Sequence, residues 1–487
     1  MVKILKSEYL YLCLVLVFAF LVRVYKIDAP IADWHSWRQV DTAAVTRNFV
    51  KEGFNPILPK YDDMSGVAET PVANPSRFRF VEFPLYNIFV YPLYLIFGID
   101  EKWHRLITIL SSIGSTTFLY FIVRKYVDRL TAFFTSFIFA FLPFNVFFSR
   151  TTLPDPFFVF FALGMVYFMS NWIEEKKEIW KFLGFIFTAV AFLIKPWAIF
   201  FFLPLLYLLL LKGSKKFNVK FILLTLIALL PFLIWRLWIL QQPEGIPASN
   251  WLFDGDKIRF HPAFFYWIVS VRLGQEILTA AGMGLFLIGL ITRPKNANYF
   301  LHSWALSSFL FITIFATGNV RHNYYQILFI PIASVFLSLG FVKLLKGDNL
   351  FLPRIWTIFL ALLLFPLVFY FGWKQTGGFY QINNPSIVEA GKEVDRILPK
   401  DAILVAPYGG DTAFLYQTNR AGWPYVTLPI TDMIADYGVS AYVSTTYDAK
   451  TNWIMKHFTM LEKRDNFVIV DLTKISTKLD FKLDPEP

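Results

Sequence analysis

The sequence holds one cysteine, Cys13, and it sits inside the first apolar run. A disulfide needs two cysteines and a thiolate metal site more, so both are excluded. Charge is scarce as well. Asp, Glu, Lys and Arg make up 17% of the 487 residues, against about 25% in a soluble globular chain. Acidic groups are the scarcer sign, 35 against 46 Lys plus Arg, for a net charge of +11. No internal repeat and no low-complexity tract occurs, which speaks against a transporter built on inverted repeats. No small-x-small cleavage pattern follows the apolar run Tyr9–Val22, so the N-terminal segment reads as a retained helix with Lys3 and Lys6 on its inner side.

What is abundant is apolar: 56% hydrophobic residues, including 56 Phe and 15 Trp. Long apolar runs recur from residue 8 to residue 372, the pattern of a polytopic helical membrane protein. The spacing predicts about eleven transmembrane helices, at about 8–25, 104–123, 131–148, 157–173, 182–195, 198–211, 221–239, 277–292, 299–317, 325–345 and 355–372. The run 83–98 is about sixteen residues long and carries Pro84 and Pro92. It reads as an interfacial or re-entrant helix within a long outer loop, 26–103.

The cations fix the orientation. Arg124, Lys125 and Arg129, then Lys176, Lys177 and Lys181, then Lys212, Lys215, Lys216 and Lys220, then Arg293 and Lys295, and finally Lys343, Lys346 and Arg354 fall on alternate connections. Only Arg150, Lys195 and Arg321 stand on the short connections between them. Cytoplasmic loops carry the excess of Lys and Arg. This distribution puts the first set inside and the second outside, and it assigns the basic balance to topology, not to nucleic acid. An odd number of spans then places the C-terminus outside. There, short β-rich runs at 402–407, 441–446 and 467–472 alternate with helical patterns at 385–398, 411–418 and 451–462, the mark of a small α/β domain. Two domains are expected: a membrane module over 1–372 that includes the 26–103 loop, and an extracytoplasmic α/β domain over 373–487.

The outer face collects Arg38, Asp41, Arg150, Asp155, Lys195, Arg321 and His322. Ionisable groups near membrane depth are costly and mark function. Each has a plainer reading: a Lys before Pro196 snorkels at a helix end, Asp155 between Pro154 and Pro156 starts a helix, and Asp41 caps a helix over Thr42–Val50. Their convergence carries the argument. A carboxylate that takes a proton from a hydroxyl, beside cations that neutralise a departing phosphate, suits transfer of a sugar from a lipid-linked phosphate donor. On this reading Asp41 is the base and Lys195 and Arg321 clamp the phosphate, with Arg38 and other cations keeping Asp41 ionised.

His35-Ser36-Trp37-Arg38-Gln39-Val40-Asp41-Thr42, Glu82-Phe83-Pro84-Leu85-Tyr86, Phe97-Gly98 through Arg105-Leu106, Ser149-Arg150 to Leu153-Pro154-Asp155, Phe192 to Pro196, Arg321-His322-Asn323-Tyr324-Tyr325 with Pro331, and Gly409-Gly410-Asp411 to Trp423 follow one another along the chain. The order resembles that of GT-C fold glycosyltransferases that use polyprenyl-phosphate sugars, such as the protein O-mannosyltransferases and lipid A aminoarabinose transferases. The resemblance implies an inverting transfer with Asp41 catalytic. Lys195, Arg321, His322, Arg150 and Tyr325 would bind the donor phosphate, and Arg38, Trp37, His35, Asp155 and Glu82 would lie toward acceptor or sugar. It implies a plasma-membrane location, membrane lipid around the spans, a polyprenyl-phosphate sugar as donor, and a lipid, glycan or protein as acceptor. Asp41, Asp155 and His322 are candidate ligands for a divalent metal such as Zn²⁺ or Mn²⁺. The sequence departs from some relatives at Thr42, where they have a second acidic residue, and at Glu82-Phe83, where they have a cation. The competing functions are a transporter or flippase of a lipid-linked or anionic solute, and a scaffold whose outer domain binds a partner.

Overall fold

A computed structural model describes residues 2–69, 73–347 and 352–476, with side chains from Glu8 onward. Lys3 and Lys6, assigned above to the first inner segment, and the end of the C-terminal domain, 477–487, therefore lie outside the described side chains. The chain packs as two compact units. The first comprises Met1–Ile27, Arg105–Arg236 and Ser249–Phe379. The second comprises Asp28–His104, Leu237–Ala248 and Tyr380–Pro487. Packing thus draws a different line from the boundary expected at residue 373: the outer loop goes with the C-terminal segment.

In the first unit every expected apolar run is helical, in elements such as Val2–Arg23, Glu178–Ile194 and Ile330–Lys346. Their lengths do not confirm the expected count of about eleven spans. Among the described residues four helices are long and apolar enough to cross a bilayer, namely Lys102–Tyr126, Pro154–Glu175, Lys215–Ile239 and the helix that begins at Arg354. Pro262–Ile277 and Thr279–Leu290 would make a fifth if taken as one span, bent by 106°. Arg129–Phe141, Pro196–Lys212 and Phe300–Ile314 are shorter. The interruptions have local causes. Pro143 restarts the chain after Leu142, Pro196 breaks the helix that ends at Ile194, and Thr279 takes a left-handed φ of 61° at the bend.

Ile330–Lys346 is buried along almost its whole length. It meets Thr279–Leu290 backbone to backbone: a Cβ on Gly289 would stand 1.9 Å from the Phe336 carbonyl oxygen, and one on Gly340 1.9 Å from that of Leu285. Small residues at such crossings are how helices approach in lipid. Lys215–Ile239 instead exposes Leu223, Leu226, Ile227, Leu230 and Ile234, a surface that suits hydrocarbon and not water.

Ion pairs gather the cationic connections at one end of this unit. Arg124 meets Glu8 at 2.7 Å, Lys125 and Lys212 meet Glu174 at 2.7 and 2.6 Å, and Lys346 meets Asp128 at 3.2 Å. These pairs bring together the connections near Arg124, Glu174, Lys212 and Lys346, four of those assigned to the inner side.

The second unit is built on a five-stranded sheet, β1 Ile403–Val405, β2 Gly422–Trp423, β3 Val439–Ser444, β4 Phe458–Lys463 and β5 Val468–Ile475, in the order β2-β1-β3-β5-β4. β1 runs parallel to β2 and β3, and β5 antiparallel to β3 and β4. β1, β3 and β5 fall where alternation placed strands. β4 begins inside the stretch read as helical, which ends as a helix at His457. The helix Ile430–Tyr437 has no counterpart in the sequence reading.

Side chains alternate between two cores, as a pleated strand requires. Leu404, Ala441, Val443 and Ile469 face a core completed by Pro385–Ile397, Ala413–Gln417 and the helix Ser36–Glu52. Val405, Tyr442, Val468 and Val470 face the other, with Ile430, Met433, Trp453 and Ile454. The sheet edge also takes in the outer loop. Gly422 N–H donates to the Asp62 carbonyl at 3.0 Å and Met64 N–H to the Gly422 carbonyl at 2.8 Å. A helix from the first polar loop is therefore one of the layers that bury the C-terminal sheet.

Candidate active site

The helix Ser36–Glu52 positions the motif. Its start is held by Gln39, whose amide donates to Asp33 at 2.7 Å and to the Trp34 carbonyl at 3.0 Å. His35 precedes it with a left-handed φ of 55°, its ring edge-on to Trp34. Asp41 lies in the second turn of the helix, so the expectation that it caps a helix over Thr42–Val50 is overturned. The helix begins one and a half turns earlier, and the first-turn N–H groups lie out of Asp41's reach.

Asp41 is 5% exposed, and both its carboxylate oxygens are engaged. Oδ1 accepts from the Thr412 hydroxyl at 2.6 Å. Oδ2 meets the Arg79 guanidinium at 2.9 Å. Arg38, the cation expected beside Asp41, is committed elsewhere: it donates twice to Glu82, at 2.7 and 2.8 Å, and once to Thr42 at 3.1 Å. Glu82, assigned above to acceptor or sugar, is thus the partner of Arg38. A bidentate guanidinium–carboxylate pair of this kind is directional and strong.

The cations expected to keep Asp41 ionised act against its burial. Burial pushes its carboxyl above the ordinary value, against the pull of Arg79, the Thr412 hydroxyl and Arg38. Two more carboxylates lie in its field. Burial raises Asp63 and Asp411 each to about 6, and Asp41 adds to both. Asp411 accepts from the Ser36 hydroxyl at 3.1 Å and from the Ala413 N–H at 2.7 Å. It follows Gly409 and Gly410, both left-handed at φ 61° and 82°, a reversal that glycine makes without steric cost.

In the first unit Asp155 and Lys195 form a buried ion pair at 2.7 Å, with side chains 0% and 7% exposed. Sequence had given them separate roles. Asp155 stands in the first turn of Pro154–Glu175, where the helix dipole favours an anion. The Lys195 ammonium lies 4.5 Å over the Trp197 ring. Ring contacts then run from Trp197 to Tyr325 at 5.0 Å, Tyr325 to His322 at 6.2 Å, and His322 to Trp251 at 5.7 Å. Arg321 lies 5.9 Å from the Trp251 ring and makes a two-point pair with Asp256, one arm at 2.8 Å. Lys195, Tyr325, His322 and Arg321 are therefore brought into one aromatic-lined group.

His322 is not a cation there: burial, with Arg272 and Arg321 nearby, drives it down to about 4. Arg272 pairs with Glu276 at 2.6 Å, and Glu276 accepts from Asn323 at 2.9 Å. Arg150, also assigned to phosphate, is 1% exposed and donates to the Lys26 carbonyl at 3.3 Å.

Sequence reasoning missed Arg79, Thr412, Asp411, Asp256 and the Arg272–Glu276 pair. Of these, Asp411 and Thr412 lie inside the Gly409–Trp423 motif. Among the described residues no three His, Cys, Asp or Glu side chains gather as a metal site would need, so the candidate ligands Asp41, Asp155 and His322 form no such cluster and no step below uses a metal.

A family model described as dolichyl-phosphate-mannose-protein mannosyltransferase matches residues 83–238, a stretch with Asp155 and Lys195 but without Asp41. An uncharacterized protein of Aquifex aeolicus (strain VF5) is 27% identical over 285 residues. That match takes in 54% of this chain and 65% of the relative's length, slightly under two thirds. ArnT from Cupriavidus metallidurans, solved bound to undecaprenyl phosphate, superposes with a TM-score of 0.64 at 14% identity over 94% of this chain and 97% of that one. The archaeal oligosaccharyltransferase AglB from Archaeoglobus fulgidus, solved with an inhibitory peptide and a dolichol-phosphate, gives 0.57 at 12% identity over 96% and 74%. The chain has the GT-C fold of glycosyltransferases that use polyprenyl-phosphate-linked sugars.

Proposed function

We propose that this protein is a membrane glycosyltransferase. It moves a sugar from a polyprenyl-phosphate donor to an acceptor hydroxyl on the extracytoplasmic face of the plasma membrane. The observation that carries this reading is the burial of Asp41 at the centre of a polar cluster. A carboxylate 5% exposed and raised in pKa is a better proton acceptor at neutral pH than one in water, since base strength rises toward the working pH.

Asp41 takes the acceptor hydroxyl's proton as the oxygen attacks the anomeric carbon. The bond from that carbon to the phosphate oxygen breaks, its electron pair leaves on the polyprenyl phosphate, and the configuration inverts. Lys195 and Arg321 supply the positive charge that the departing phosphate requires. Neutral His322 and Tyr325 offer hydrogen bonds, and Arg150 acts by holding backbone. Arg38 and Glu82 keep the Asp41 helix in register, with Trp37 and His35 at its start toward acceptor or sugar. The bias of Lys and Arg toward alternate connections supports an orientation with the C-terminal domain outside the cell.

The test is transfer from radiolabelled polyprenyl-phosphate sugars by purified protein and its Asp41→Asn variant. The variant is expected to bind donor and to lose at least about 10²-fold in turnover, the low end of an acid–base contribution. Transfer by the variant at near wild-type rate would reject Asp41 as the base.

A further inference from the structure

A general base must lie about 2.6–3.2 Å from the hydroxyl it deprotonates. Around Asp41 that place is already taken. Oδ2 faces Arg79, and Oδ1 accepts a hydroxyl proton at 2.6 Å from Thr412, itself 8% exposed. We infer that Thr412 is a positioning residue for Asp41, its hydroxyl holding in the resting site the spot the acceptor hydroxyl takes and yielding it by turning to the Trp37 carbonyl. The inference rests on the reading of Asp41 as the base.

Three observations support it. The Thr412 hydroxyl has one proton and two acceptors within reach, Asp41 Oδ1 at 2.6 Å and the Trp37 carbonyl at 3.3 Å. Transferring the bond from one to the other leaves no donor unsatisfied, which a buried hydroxyl requires. Next, the segment that delivers Thr412 is fixed. The left-handed pair Gly409-Gly410 reverses the chain, and Asp411 ties it to Ser36 at the start of the Asp41 helix and to Ala413. Finally, Arg79 is pinned independently: its N–H donates to the Pro59 carbonyl at 2.9 Å and its guanidinium lies 4.9 Å over the Tyr61 ring. The carboxylate therefore keeps its plane through Arg79 while Thr412 departs. The C-terminal segment on this view contributes directly to the reaction centre.

The charged and titratable groups that face Asp41 are Arg79, Asp62, Asp63 and Tyr61 from the outer loop, Arg38 on its own helix with Glu82 behind it, and Asp411 beside Thr412. Removing the Thr412 donor changes none of these charges. It removes only a bond that favours the ionised carboxylate. Thr412→Val keeps the shape and deletes the donor, whereas Thr412→Ser keeps the donor and trims a methyl.

The experiment measures kcat/KM against pH for wild type, Thr412→Val, Thr412→Ser and Asp41→Asn, all full-length. In Thr412→Val the acid limb is expected to move to higher pH, because the bond that favours the ionised Asp41 carboxylate is gone. Thr412→Ser is expected to return that limb to its wild-type position. A Thr412→Val enzyme whose acid limb stays in place, whatever its rate or melting temperature, would overturn the inference and leave Thr412 a packing residue. Asp41→Asn activity near wild type would instead overturn the base reading beneath it.

Discussion

Replacing Lys195 by alanine should destabilise this protein as well as impair its use of donor. Lys195 and Asp155 meet at 2.7 Å with side chains 7% and 0% exposed. Removing one partner of such a pair leaves an uncompensated buried charge, at a cost of about 3–5 kcal/mol. Asp155 Oδ2 accepts no hydrogen bond among the described residues, so nothing else on the side chain takes up that charge. The position of Asp155 in the first turn of Pro154–Glu175 offsets part of it, by up to about 2 kcal/mol in a partly buried helix terminus. The expected net loss is about 1–5 kcal/mol.

The double variant Asp155→Asn/Lys195→Met removes both charges and should return to within about 1 kcal/mol of wild type, because neutral replacement of a buried pair is often harmless. It should not regain donor affinity if Lys195 contacts the phosphate. The assay is denaturant unfolding in detergent, paired with direct binding of a polyprenyl phosphate. A Lys195→Ala protein within about 0.5 kcal/mol of wild type, the range of a surface change, would refute the buried pair. A double variant that recovers stability and full donor affinity together would refute the phosphate contact and leave Lys195 a structural partner.

Two other outcomes follow from the same geometry. Burial raises Asp63 from 3.8 to about 6. The folded protein then keeps a proton that the unfolded chain has released, so stability falls as pH rises from about 4 to 6, by roughly 3 kcal/mol for this group. Asp63→Asn should remove that loss, and unfolding curves for the two proteins that stay parallel across this range would contradict it. On topology, cysteines placed at the exposed positions Lys400 and Lys216 in a Cys13→Ser background should label from outside the cell at 400 and only after permeabilisation at 216; the reverse pattern would invert the orientation.

Sequence alone determined the class of the molecule and the order of its parts. Apolar runs are local, and each of them is helical in the structure. The cations that separate them fall on alternate connections, and ion pairs among Glu8, Arg124, Lys125, Glu174 and Lys212 join three of those connections. The motifs singled out Asp41, Asp155, Lys195 and Arg321, each of which is ion-paired in the structure. Sequence did not determine which charge faces which. Arg38 stands three residues from Asp41 and yet turns to Glu82, while Arg79 and Thr412 come to Asp41 from the far side of a loop and from the C-terminal segment. Nor did it place the start of the Asp41 helix, since a helix buried on all sides and lined by Arg38, Gln39, Thr46, Arg47 and Asn48 has no amphipathic stripe to read. Thr412 and Asp41 are 371 residues apart. A contact at that separation has no period and no spacing in the chain; only the packing of the outer-loop helix against the C-terminal sheet brings the donor to the carboxylate.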